Sequence, residues 1–186
     1  MARQVFEFDS PERFVAGTVG EPGSRTFYLQ ASAGGRVTSV ALEKQQVAVL
    51  AERVEELLDE VVRRSGGSTS VPAVAPVELD DAGPLDTPLL EEFRVGTMAL
   101  EWDEQAERVV ITAQAVTSEE GEDDFVPAEE DEGPDVLRVR LTGALARAFA
   151  KRALKVVSAG RPPCPFCGLP LEAAGHVCPR ANGYRR

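Results

Sequence analysis

The first third of the chain alternates between short apolar runs and turn-forming residues before a long amphipathic segment begins. Residues 12–19 and 25–31 are rich in Phe, Val, Thr and Tyr and flank a Glu-Pro-Gly-Ser turn, so they predict a hairpin. A third strand is predicted at residues 37–42, after a Gly-Gly turn. Apolar positions spaced by three and four then predict a helix over residues 44–64, with a stripe made of Val47, Leu50, Val54, Leu57, Leu58 and Val61.

The same order of elements starts again in the second half of the chain. Residues 93–98 (FRVGTM) echo residues 14–19 (FVAGTV), and a strand predicted at residues 109–115 takes the place of the second strand. A strand predicted at residues 136–141 takes the place of the third and leads into another helix. We therefore interpret the chain as two copies of a β-β-β-α unit.

Duplicated units of this kind predict an α+β fold. Each unit alone leaves an apolar sheet face uncovered, so we expect one antiparallel sheet with both helices on one face, in two layers. Residues without a sustained period, rich in Gly, Pro, Ser and Asp, predict a surface linker between the copies. The predicted organisation is an α+β domain at 1–158 (repeat one 1–66, linker 67–90, repeat two 91–158) and a tail at 159–186.

An acidic segment precedes the last predicted strand. Residues 119–135 contain 10 acids among Gly and Pro residues, which is typical of a solvated loop that aids solubility. The alternative is that this loop folds over the basic segment that follows and masks it from an anionic partner. Deleting residues 119–132 would then strengthen retention on heparin or nucleic acid.

The second helix, predicted at residues 143–158 with Thr142 as its N-cap, combines an apolar stripe with a basic side. Basic residues recur every four positions on that side, which predicts a positive ridge. The ridge is either a solvated face that complements nearby acids or a surface for phosphate groups or an acidic partner. The candidate surface consists of Arg138, Arg140, Arg147, Lys151, Arg152, Lys155, Arg180, Arg185 and Arg186.

The formal net charge of -11 conceals two opposed regions. Residues 1–135 contain 10 Lys and Arg against 30 Asp and Glu, whereas residues 136–186 contain 10 Lys and Arg against Glu172 alone. The overall acidity argues against nucleic-acid binding by the whole molecule but not by its last quarter. The first ten residues contain no apolar signal segment and no run is long enough to span a membrane, so we expect a cytoplasmic protein without membrane insertion.

The tail contains all 3 cysteines and the 1 histidine of the chain. Cys164 and Cys167 form a CxxC pair followed by Gly168, and His176 and Cys178 come shortly after. A tight CxxC turn brings two thiolates to one metal ion, and side chains two apart on an extended strand point the same way. The spacing predicts a Zn²⁺ site with Cys164, Cys167, His176 and Cys178 as ligands. It leaves open whether His176 or a group outside this set is the fourth ligand.

Four protein ligands fill a tetrahedral zinc site and leave no position for a bound water, so the predicted site is structural. A redox role for the CxxC pair would require it at the start of a helix, which the following Gly-Leu-Pro opposes. Using the 1 histidine as a ligand also removes Ser-His and Cys-His catalysis from consideration. We therefore favour a protein that is not an enzyme.

Two stretches of the chain carry a family resemblance: the opening FEFDSPERFVAGTVGEPGSRTFYLQA and the tail CPFCGLPLEAAGHVCPRANGYRR. With them the chain resembles an actinobacterial family of uncharacterised proteins, domain of unknown function 3090, over nearly its whole length. The resemblance implies no defined activity. It does imply a gene neighbourhood with a histidine phosphatase and a kinase-like protein, and hence an accessory role in phosphate-related metabolism.

The leading functional hypothesis is a non-enzymatic binding or adaptor module whose zinc knuckle and basic helix recognise a protein partner. The first alternative is an enzyme or accessory subunit in phosphoryl chemistry that uses Arg138, Arg140 and Arg147 to hold phosphate. The second is a nucleic-acid-binding protein that uses Arg180, Arg185, Arg186 and the basic helix. No P-loop, GxSxG or HExxH motif supports the enzymatic alternative.

Overall fold

The computed structural model describes residues 3–117, 132–160, 164–168, 171, 178 and 180. Within these ranges the elements follow the predicted order closely, with one additional strand at the beginning. They are β1 (Val5–Asp9), β2 (Arg13–Val19), β3 (Thr26–Ala33), β4 (Arg36–Leu42), α1 (Lys44–Ser65), a 3-10 turn (Val77–Leu79), β5 (Glu91–Asp103), β6 (Arg108–Ala115), β7 (Val136–Thr142) and α2 (Gly143–Ser158).

The sheet is mixed, which corrects the expected antiparallel arrangement. Its seven strands lie in the order β1-β7-β6-β5-β4-β3-β2. The pairs β2–β3, β3–β4, β5–β6 and β6–β7 are antiparallel. The pairs β4–β5 and β1–β7 are parallel. The parallel pair at the centre arises because α1 and the segment after it return the chain to the starting end of β4 before β5 begins. The fold class is therefore α+β, while duplication of the unit stays a prediction.

The sheet is curled around the face that carries the helices. A flat sheet would separate β1 from β2 by six strand spacings, about 29 Å. Only Ser10, Pro11 and Glu12 connect these two strands, and such a connection spans about 14 Å at most. The rings of Phe6 in β1 and Phe93 in β5 also lie 6.3 Å apart, although two strands separate them. The curl therefore brings the two edges of the sheet toward each other.

One apolar core extends over the whole sheet and both helices. Helix α1 begins with a capping box between Glu43 and Gln46, and α2 begins where Thr142 accepts a hydrogen bond from the N–H of Leu145. The two helices contact each other, and the core includes residues of both helices and of all seven strands. Within this core the rings of Phe14 and Phe149 lie 4.6 Å apart. The two-layer description and the boundaries between repeats stay predictions.

The segment predicted as a linker is held against the body by specific contacts. Val71 is buried against the start of α2, where a Cβ at Gly143 would lie 2.8 Å from its side chain. Farther along, the side chain of Gln30 in β3 accepts from the N–H of Asp86 at 2.7 Å and donates to its carbonyl at 3.1 Å. This segment therefore follows a defined path. In the described part of the chain, no helix is long and apolar enough to cross a membrane.

Candidate metal centre

The CxxC sequence forms a tight turn. Residues Pro165, Phe166 and Cys167 make up the turn, and the N–H of Gly168 donates to the carbonyl of Cys164 at 2.9 Å. Gly168 has a φ of 75°, a left-handed conformation that glycine adopts without the steric cost of a Cβ. The glycine thus closes the turn and leaves both thiols on one side.

Three sulfur atoms meet at this turn. The Sγ atoms of Cys164, Cys167 and Cys178 all lie within 4.8 Å of one another, and those of Cys164 and Cys178 are 3.8 Å apart. The separation of 3.8 Å is much longer than the roughly 2.05 Å of a disulfide bond, and none of the three cysteines is in a disulfide. The three thiols form a group that can hold a metal ion.

The surroundings of Cys164 favour its ionised form. Cys164 and Cys178 are buried, whereas Cys167 is half-buried. Hydrogen bonds from the backbone N–H of Cys167, and then of Phe166, lower the pKa of the Cys164 thiol. A thiolate is the form of cysteine that binds a metal ion. The turn that positions the first sulfur atom therefore also prepares it for ligation.

The rest of the predicted tail is only partly described. His176 lies outside the described residues, so its role as the fourth ligand stays a prediction. Arg180 donates from Nη1 to the carbonyl of Phe166 at 3.3 Å, and this contact ties the region after the last cysteine to the CxxC turn. Arg185 and Arg186 lie outside the described residues as well.

The structure corrects the prediction that Arg147 belongs to a basic ridge on the surface of α2. It is only 2% exposed and does not belong to an open surface. Its guanidinium donates to Glu55 and Asp59 of α1 and to the carbonyl of Pro72. Burial lowers its pKa, but the two carboxylates outweigh that effect, so the net direction is upward. Arg147 thus joins the two helices to the segment that follows α1.

The other basic residues of α2 differ in their contacts. Lys151 forms an ion pair with Asp80 at 2.6 Å. Arg152 donates to Asp81 at 2.6 Å and to the carbonyl of Ala16 in the edge strand β2. Lys155 is exposed to solvent. Of the predicted ridge, Lys151 and Lys155 therefore lie at the surface.

The three arginines of the hypothetical phosphate clamp do not come together. Arg138 and Arg140 alternate along β7 with Leu137, Val139 and Leu141, whose side chains belong to the core. They consequently point away from the helix-bearing face, whereas Arg147 lies between the helices. Arg140 forms an ion pair with Glu7 of β1 at 2.5 Å. Residues 118–131 lie outside the described ranges, so masking by the acidic loop stays a prediction.

A charged cluster that sequence analysis missed lies where the linker passes the edge of the sheet. Asp81 accepts hydrogen bonds from Arg13 of β2 and from Arg152 of α2. The hydrogen bond from Arg13 lowers the pKa of Asp81 and raises that of Arg13. Burial lowers the pKa of Arg152. No periodicity or motif connects these residues, because the cluster depends on the path of the linker.

These features define an α+β protein whose last section carries three cysteines that could hold a metal ion. Comparison with protein families gives a match to Protein of unknown function (DUF3090) over residues 6–178, and the chain belongs to that family. The match includes all three cysteines of the candidate metal centre and confirms the family resemblance. No curated protein and no solved structure matched the chain. The actinobacterial origin and the cytoplasmic location stay predictions.

Proposed function

We propose that this protein is a non-enzymatic binding module whose C-terminal section is folded by one structural Zn²⁺ ion. Cys164, Cys167 and Cys178 supply three ligands, and His176 supplies the fourth. The observation that carries this proposal is the meeting of three thiols from two separate parts of the tail within 4.8 Å. A filled tetrahedron gives the ion no open position for catalysis and makes metal binding part of the folding free energy.

The spacing of the sulfur atoms supports zinc. A Zn–S bond of about 2.3 Å in a tetrahedral site places neighbouring sulfur atoms about 3.8 Å apart. The Sγ atoms of Cys164 and Cys178 have a separation of 3.8 Å. The local structure also disfavours a redox CxxC pair, because residues 164–168 form a turn and do not begin a helix.

The proposed partner is a protein. Phe166 is 64% exposed at the CxxC turn, and aromatic side chains are enriched in protein interfaces. Exposed Lys151 and Lys155 would add complementary charge for an acidic surface. Phosphoryl chemistry and nucleic-acid binding are kept as alternatives. The separation of Arg147 from Arg138 and Arg140 argues against a phosphate site formed by these three arginines.

Metal analysis of the purified full chain tests the zinc site. We expect about one zinc per chain, and Cys164→Ser should lose that zinc together with order in the tail. Phe166→Ala is the matched control, because it changes the same turn without removing a ligand and should keep the metal. Zinc content unchanged in Cys164→Ser would contradict the proposed site.

The same two variants separate metal binding from partner binding. Cross-linking and mass spectrometry in the native host should identify a protein that depends on the metal centre. Phe166→Ala should lose that protein while retaining zinc, since only the exposed ring is removed. If Phe166→Ala captures the same partner with undiminished yield, the ring of Phe166 is not part of the interface.

A further inference from the structure

A cavity of about 510 Å³ lies among residues that no sequence motif connects. It opens between the start of β3, the start of α1, the beginning of β5 and the end of α2. Three of its lining side chains are cationic (Arg25, Lys44 and Arg94), and one is anionic (Glu43). The lining is thus formally positive within a region, residues 1–135, that has three times as many acids as bases.

Arg25 is held in place by contacts that leave part of its guanidinium available. Its Cζ lies 5.0 Å from the centre of the Phe27 ring, which is a cation–π contact. Its Nη1 and Nη2 donate to the carbonyls of Ala159 and Val156 at the end of α2, at 2.9 and 3.3 Å. A guanidinium has five N–H donors, so three remain for a ligand.

Arg94 reaches the cavity from β5 and is paired with Glu43 at 2.8 Å. The side chain of Arg94 is 48% exposed and that of Glu43 is 72% exposed. Such solvent-exposed pairs are weak and rearrange easily. Arg94 can therefore exchange this carboxylate for the oxygens of a ligand at little cost.

Lys44 has no carboxylate within ion-pair distance among the described residues. Its Nζ lies beside Gly160, because a Cβ added to that glycine would be 3.7 Å from it. All three N–H donors of this ammonium are thus available at the cavity. Lys44 and Arg94 come from α1 and β5, and Arg25 comes from the turn before β3. Arg25 is held in place by its contacts with Phe27 and the end of α2.

We propose that this cavity binds a small molecule through a phosphate monoester group, with Lys44, Arg94 and Arg25 as its contacts. A phosphate monoester carries a charge of about −1.5 to −2 at neutral pH and offers three acceptor oxygens, which suits a lining with a surplus of two positive charges. The volume lies in the range of small-molecule sites. This inference does not rest on the zinc site.

Calorimetric titration of the zinc-loaded full chain tests this inference, with inorganic phosphate and phenyl phosphate as probes against chloride of matched ionic strength. We expect saturable binding of phenyl phosphate at one site, weakened about tenfold by either Lys44→Gln or Arg94→Gln. Arg53→Gln is the matched control: it removes one positive charge from an exposed position on α1 and should bind as the unmodified protein does. Thermal unfolding of each variant verifies that the fold is retained.

Three outcomes would overturn the proposal. The first is the lack of saturable binding of either probe. The second is an equal loss in Arg53→Gln, which would indicate a general effect of net charge. The third is tighter binding of a single-stranded oligonucleotide that is lost in Lys44→Gln, which would make the cavity part of a polymer-binding surface.

Discussion

The body of the molecule, residues 3–117 and 132–160, and the cysteine turn at residues 164–168 are stabilised by different means. The body buries one continuous core in which Phe14, Phe149 and residues of every strand take part. The turn contributes one buried cysteine, Cys164, while its large apolar side chain, Phe166, is exposed. A segment with so little buried apolar surface does not offset the entropy of ordering its own backbone.

This difference suggests that the two regions depend on different interactions in order to fold. The body should reach its structure through hydrophobic burial alone, and the tail should require a metal ion that joins its thiols. The ionic contacts of the body strengthen the same contrast. They connect distant elements, as Arg147 does between α1 and α2, whereas the contacts described in the tail are local.

The largest expected effect is that of metal removal on the tail. Structural zinc contributes about 10–16 kcal/mol of apparent binding free energy in small zinc peptides. Treatment with a chelator should therefore expose the tail to trypsin at Arg180 and Arg185, while the body keeps its unfolding temperature. Limited proteolysis with mass spectrometry and circular dichroism measure the two effects, and added zinc should restore protection. Cooperative loss of the body on chelation would show that the two regions are one unit.

A substitution in the core should destabilise the body and leave the metal site intact. Phe149 is 1% exposed and packs against Phe14, so Phe149→Ala should lower the free energy of unfolding by about 4 kcal/mol. Zinc content should not change. Urea unfolding followed by circular dichroism gives the free energy, and Val49→Ala, at an exposed site on α1, serves as the control with little expected effect. Zinc loss in Phe149→Ala would couple the core to the metal site.

The smallest expected effect is the pH dependence of the stability that Asp81 contributes. Arg13 holds the pKa of Asp81 below its usual 3.8, so the contribution of Asp81 to stability is fully present above that pH and is lost as pH falls through its lowered pKa. Asp81→Asn should cost about 1 kcal/mol at neutral pH and progressively less in acid. Urea unfolding at a series of pH values measures this difference. A difference that stays constant down to the acid-unfolding limit would assign the effect to packing.

Sequence periodicity was sufficient for elements that have a strong pattern of their own. The helix predicted at residues 44–64 corresponds to α1, and the one at residues 143–158 to α2, because an amphipathic stripe records which side will be buried. β1 was missed because it has five residues and depends on a partner near the other end of the chain. The parallel pairing of β4 with β5 was missed since strand direction follows from the crossover through α1.

The candidate functional residues were likewise predictable only where the signal is local in the sequence. Three cysteines in a short tail indicate a metal site because ligand spacing is a local property. The roles of Arg147 and of the Arg13–Asp81–Arg152 cluster were not predictable, because each depends on carboxylates far away in the chain. A basic residue every fourth position on a helix shows where a charge lies around the axis. It does not show whether an acidic neighbour covers it.

The position of β1 has a consequence for synthesis on the ribosome. The N–H of Gln4 donates a hydrogen bond to the carboxylate of Asp135, 131 positions later, and β1 then pairs with β7 along its whole length. At translation rates of about 5–20 residues per second, the first strand waits on the order of ten seconds for its partner. During that interval its apolar Phe6 and Phe8 have no completed sheet to pack against. Until β7 is made, this segment exposes apolar side chains and an unpaired strand edge, which are the features that make folding intermediates prone to aggregation.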